Sequence, residues 1–204
     1  MRRCRTSIRP SSLKEWSSCR RPSPASHGDP HFDLIAWLGL YRAQTPGVLG
    51  GDNATLRLDN DNEVQPDANL RLQVECGGTS RLVGGYLEGS PELLAEICAT
   101  TASNDLHDKF QAYRRNGVKE YIVWRACDRA VDWFVLREGR FDRLEPGADG
   151  VYRSAVFPGL WLDASALISR NLPRVIGVLH SGLASSEHLQ FAARLASLAG
   201  ASPG

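Results

Sequence analysis

PELLAEICA (residues 91–99), DLHDKFQAYRRN (residues 105–116) and VKEYIVW (residues 118–124) follow one another along the chain, and their reading decides the fold. The first run is apolar apart from Glu92 and Glu96 and closes in the polar segment ATTAS, so it reads as a central strand. Ser103 or Asn104 can cap the helix that follows, and Gly117 stands where a left-handed residue ends it. VKEYIVW then returns as a second strand.

Upstream, Asp29 suits a helix cap and Pro30 the first helical position. HFDLIAWLGLYRA (31–43) is apolar on several sides, as a buried helix would be, and Thr45-Pro46-Gly47 ends it. ATLRLD (54–59) and VQPDANLRLQVE (64–75) alternate around the turn DNDNE and predict a hairpin, with Pro66 near the start of its second strand. Gly77 to Gly89 reads as a loop with a short β segment at Arg81–Val83. Downstream come the strands VDWFVLR (131–137), FDRL (141–144) and VYRSAVF (151–157), then LWLD (160–163). A short helix near 164–168 and amphipathic helices near 173–182 and 186–198 complete the order. The expected class is α/β of the mixed α+β kind, one mixed β-sheet flanked by helices.

The chain has 204 residues, 42% hydrophobic and 23% charged, enough for one globular domain and no more than a modest extension. No apolar run reaches the roughly 20 residues that cross a bilayer, so a soluble protein with no membrane partner is expected. Formal net charge is +1, but residues 1–21 carry Arg2, Arg3, Arg5, Arg9, Lys14, Arg20 and Arg21 against Glu15 alone. Residues 1–28 therefore read as a basic, disordered arm rich in Ser and Pro, able to hold phosphate by counterion release, and 29–200 as the folded domain. The five cysteines form no CxxC pair, which argues against a zinc site or a disulfide framework. Cys98 and Cys127 read as small core residues, and a cytoplasmic location follows. P-loop, Rossmann, GxSxG and zinc patterns are absent.

Glu96 stands mid-strand in an apolar run, where a lone carboxylate is costly unless paired or bound to a metal. Asp67 follows Pro66 in the neighbouring strand. On the helix, Leu106, Phe110 and Tyr113 share one face, and Lys109 lies at the edge of that stripe. An i,i+4 ion pair from Asp105 to Lys109 would explain the lysine without chemistry. Alternatively, two carboxylates and a lysine suit Mg²⁺, with Mn²⁺ as a substitute, and the lysine can orient or deprotonate a water.

The elements PD (66–67), AE (95–96), DLHDK (105–109), YRRNGVKEY (113–121) and FPGLWLD (157–163), in that order, resemble the Uma-two family of restriction-type endonucleases, a branch of the PD-(D/E)XK superfamily. The resemblance spans about residues 27–195. It implies a restriction-endonuclease-like core and a Mg²⁺-dependent endonuclease hydrolysing DNA through a metal-activated water. Asp67 matches the PD aspartate, Glu96 the second metal-binding acid, and Lys109 a lysine displaced onto the following helix. Cys98 occupies the place of the lysine in a plain E-x-K form. The family's additional N-terminal acid has no match in residues 1–21, and Asp29 and Asp33 are the nearby acids. His31, Thr101, Ser103 and Tyr113 are possible supporting residues. Trp124, Trp133 and Trp161 read as packing, and Arg114-Arg115 as a solvated face. The alternative is a catalytically impaired nucleic-acid-binding or regulatory domain that keeps the fold, and helices 173–198 could pair two chains in a homodimer.

Overall fold

The computed structural model describes residues 24–59, 63–98 and 104–200. Helix α1 (Pro24–Ala43) leads into β1 (Val48–Asp52), followed by β2 (Leu56–Arg57), β3 (Glu63–Val64), β4 (Ala68–Leu72), β5 (Arg81–Val83), β6 (Tyr86–Glu88) and β7 (Leu93–Cys98). Then come α2 (Asn104–Arg115), β8 (Glu120–Arg125), β9 (Ala130–Arg137), β10 (Arg140–Arg143), β11 (Val151–Arg153), β12 (Trp161–Asp163), α3 (Ala164–Ile168), α4 (Leu172–Leu183) and α5 (Ser186–Gly200). The main sheet runs β1-β4-β7-β8-β9-β10, with β7 and β8 parallel and its other pairs antiparallel. A mixed sheet with helices against it is the class the sequence predicts.

Strand β7 is buried on both faces, which explains its near-continuous apolar run. Leu93, Ala95 and Ile97 face the larger core, shared with residues of α1, α3, α4 and α5. Leu94 and Cys98 face a second core with Ala112 and Tyr113 of α2 and with Leu56 and Leu87. Glu96 lies on this second face by strand alternation.

The end of α2 fixes Tyr113. Gly117 has φ 78°, its N–H donates to Arg114 and the N–H of Val118 donates to Tyr113. These two bonds form the Schellman closure, and buried Tyr113 and Val118 supply its apolar contact.

Four expectations change. Helix α1 begins at Pro24, so Pro30 lies inside it rather than at its first position, at the cost of one intrahelical bond. The partner of β4 is β1, not residues 54–59: Val48 to Asp52 pair with Leu72 to Ala68, while Leu56–Arg57 joins a separate sheet ordered β3-β2-β6-β5. Glycine permits this pairing, because a Cβ on Gly51 would stand 2.6 Å from the Asn69 amide nitrogen. Only Val151–Arg153 of VYRSAVF is strand, paired with β12 outside the main sheet. Cys127 is exposed in the β8–β9 turn, whereas Cys76 and Cys98 are buried.

Trp124 and Trp133 are buried core residues, and the Arg153 guanidinium lies 4.5 Å from the centre of the half-buried Trp161 ring. Val175 and Leu179 of α4 and Phe191 and Leu195 of α5 are packed inside the domain, while Leu189 and Leu198 of α5 are exposed. Among the described residues no helix is long and apolar enough to cross a membrane.

Candidate active site

Asp67 lies on the bend before β4, and its Oδ2 accepts the backbone N–H of Ile97 at 2.6 Å. Because Ala68 is in register with Ala95, this bend brings Asp67 beside Glu96. Glu96 is 7% exposed. Lys109 Nζ donates to both of its oxygens, at 3.0 and 2.9 Å, and the Tyr113 hydroxyl donates to Oε1 at 2.8 Å. The structure thus brings Asp67, Glu96, Lys109 and Tyr113 together, one turn of α2 supplying the last two.

Burial pushes the Glu96 carboxyl up to about 7; Lys109 opposes the shift, Asp67 adds to it, and the hydrogen bonds from Lys109 and Tyr113 oppose it. Lys109 commits its amino group to both oxygens of the Glu96 carboxylate. It can orient a water or hold developing negative charge.

His31 joins the site through the backbone. Its Nε2 lies 3.2 Å from the Asp67 carbonyl oxygen and 3.0 Å from Asp52 Oδ1. The Asn53 N–H donates to the same Asp67 carbonyl, and Asn53 adopts φ 48° to leave β1. Asp52 is the partner of His31 that sequence reasoning did not single out. The only local signal was its place after Gly50-Gly51, a pair that reads as loop although it is strand.

The nearby N-terminal acids go elsewhere. Buried Asp33 pairs with Arg170 Nε at 2.6 Å, and Asp29 lies 3.8 Å from the same guanidinium. Thr101 and Ser103 lie outside the described residues, as does the side chain of Asp105. Arg114 is not a free solvated charge: it donates to the Gly139 carbonyl at 2.8 Å and to Gln111. Arg115 is exposed.

Among the described residues no three His, Cys, Asp or Glu side chains form a metal-binding group. A cation between Asp67 and Glu96 would therefore take two carboxylates and complete its shell with water, which suits Mg²⁺. The donor chemistry fits: two hard oxygen ligands stand side by side, and the proximity of Asp67 raises the proton affinity of Glu96. A cation there would share the Glu96 carboxylate with Lys109.

The sequence profile of the Uma-two family, described as "Putative restriction endonuclease", matches residues 19–165. No curated protein matches the chain. Among solved structures, a crystal structure described as a "putative nuclease belonging to DUF820" from Anabaena variabilis is similar at 11% sequence identity and TM-score 0.49, covering 70% of this chain and 82% of that one.

Proposed function

The chain belongs to the Uma-two family of restriction-type endonucleases, and from that premise we propose that it is a Mg²⁺-dependent endonuclease hydrolysing DNA phosphodiesters, with Asp67, Glu96 and Lys109 as its site. The observation that carries this reading is the Lys109 ammonium on Glu96, beside an Asp67 whose carboxylate is fixed by the N–H of the residue after Glu96. Asp67 and Glu96 would hold the ion. When bound, Mg²⁺ supplies a Lewis acid that lowers the pKa of water and offsets the charge of the scissile phosphate.

The chain's own groups do the rest. The Ile97 N–H holds Asp67 in one rotamer, so that the carboxylate pays little ordering cost on binding. Tyr113 holds Oε1 of Glu96 from the side of α2. Lys109 presents positive charge where the attacked phosphate becomes more negative, and that is worth most in a site with little water. Water adds to phosphorus, the P–O ester bond breaks, and the ends left are a phosphomonoester and a hydroxyl.

The decisive experiment incubates the full chain with double-stranded, single-stranded and structured DNA in Mg²⁺, in Mn²⁺ and in EDTA. Cleavage in either metal, absent in EDTA and in Glu96→Gln, supports the reading; no cleavage of any substrate in either metal overturns it. The second reading, a DNA-binding or regulatory domain without turnover, draws on the commitment of both Glu96 oxygens to Lys109 and on the spending of Asp29 and Asp33 on Arg170. It expects salt-dependent DNA binding that survives Asp67→Ala.

A further inference from the structure

On the same face of β4 as Asp67, two alternations further along, stands Arg71. It lines a cleft of about 500 Å³ together with Leu49, Gln73, Ser80 and Arg81. Ser80 is 1% exposed, and its buried hydroxyl has no hydrogen-bond partner among the described residues. That hydroxyl is closed off from the cleft, which leaves the arginines as the groups that can meet a ligand.

The charge balance points the same way. Arg71 and Arg81 make no ion pair among the described residues, and neither does Arg42, which lines an adjoining cleft that shares Leu49 and Gln73. Burial lowers the proton affinity of Arg71, Glu92 opposes that shift, and Arg42 adds to it. Two acids stand near this charge, and Glu92 favours the charged form of Arg71. Glu75 is exposed on the wall of the cleft, and Glu92 is engaged by the Leu72 N–H at 2.8 Å and by Lys119 at 3.6 Å. Arginine forks match the oxygens of a phosphoryl group.

We propose that the cleft between β4 and β5, lined by Arg71 and Arg81, is a second anion site that holds a phosphoryl group away from the Asp67–Glu96 centre. The group comes either from the backbone of a bound nucleic acid or from a free phosphorylated molecule. The first source rests on the nuclease reading above and the second does not. Asp67 and Arg71 are four residues apart on one strand face, a span of about 13 Å. Along a duplex axis that is about four base steps.

The test keeps catalysis out of the measurement. Binding of a labelled DNA duplex to the full chain is followed by fluorescence anisotropy in EDTA over a salt series, and unfolding is followed with inorganic phosphate. If the backbone is the source, Arg71→Gln and Arg81→Gln each weaken DNA binding several-fold and flatten the salt slope by about one. If a free phosphorylated molecule is the source, DNA binding is unchanged, but phosphate raises the Tm of the wild type and not of Arg71→Gln. Arg81 is exposed on an edge strand, so Arg81→Gln retains the fold and serves as the control for Arg71→Gln. Unchanged DNA affinity and slope in both variants, together with no stabilisation by phosphate, overturn the proposal. A wild type that binds DNA through this cleft yet never cleaves it overturns the nuclease reading alone.

Discussion

Lys109 Nζ reaches both oxygens of Glu96, at 3.0 and 2.9 Å, across a site in which the glutamate is almost fully buried. The pair joins the central strand to the helix that follows it. The lysine favours the ionised carboxylate against the burial that raises its proton affinity.

Removing the lysine therefore acts twice. Lys109→Ala leaves Glu96 buried with Asp67 beside it and only Tyr113 donating, so its proton affinity rises from a value already about 7. Cleavage is expected to fall by about a hundredfold or more, with the rising limb of the pH–rate profile displaced to higher pH. Lys109→Arg restores the charge and so returns the profile toward that of the wild type, without full activity because the guanidinium has a different shape. An unchanged rate in Lys109→Ala would remove the lysine from the mechanism.

Stability should fall as pH rises toward neutrality in the absence of metal. Burial pushes both Glu96 and Glu120 up to about 7 from an ordinary 4.5. Between those values the folded chain keeps protons that the unfolded chain has released. The contribution of each group is thus complete below about pH 4.5, declines by at most about 1.4 kcal/mol per pH unit, and levels off above about pH 7. Urea midpoints measured in EDTA from pH 5 to pH 8 check the sign. Glu96→Gln should make the decline shallower and leave the part due to Glu120, whose carboxylate is held by the Ser154 hydroxyl and the Ala155 N–H. Midpoints that climb over this range would contradict the assignment.

Asp33 is structural here and not a distant ligand. Asp33→Asn weakens its contact with Arg170, at 2.6 Å. Since the arginine side chain is 40% exposed, solvent screening keeps the cost to about 1–2 kcal/mol, or a Tm lower by a few degrees. Cleavage per folded molecule should stay at the wild-type level. A loss of metal-dependent activity at full foldedness would return Asp33 to the site.

The central unit was legible because its signals are local and agree. An apolar run and Gly117 mark β7, the end of α2 and the way into β8, and a carboxylate inside the run advertises its own cost. Asp67, Glu96, Lys109 and Tyr113 do converge. Strand β1 was illegible because Gly50 and Gly51 read as loop, and the reason for them is a contact with Asn69 that no local pattern encodes. Asp52 was lost with that strand. The commitment of Asp33 to Arg170, 137 residues away, is likewise a matter of tertiary packing.

A divalent cation should stabilise the chain, and the size of the effect should depend on pH. With Asp67 and Glu96 as the proposed donors, the ion needs ionised Glu96, so it competes with a proton below about pH 7 and with Lys109 at any pH. At a hundredfold excess over Kd the added stability is about 2.7 kcal/mol. Thermal unfolding with Mg²⁺ should show a rise in Tm that grows from pH 6 to pH 8, opposite in sign to the metal-free trend. Asp67→Asn should abolish it while keeping the Ile97 N–H contact through the amide oxygen. Lys109→Met should change it in a diagnostic way, because competition for the Glu96 oxygens disappears while the proton becomes harder to remove. The shift should then be smaller than in the wild type at pH 6 and no smaller at pH 8. A cation effect that ignores both pH and Asp67 would mean that the ion binds somewhere else.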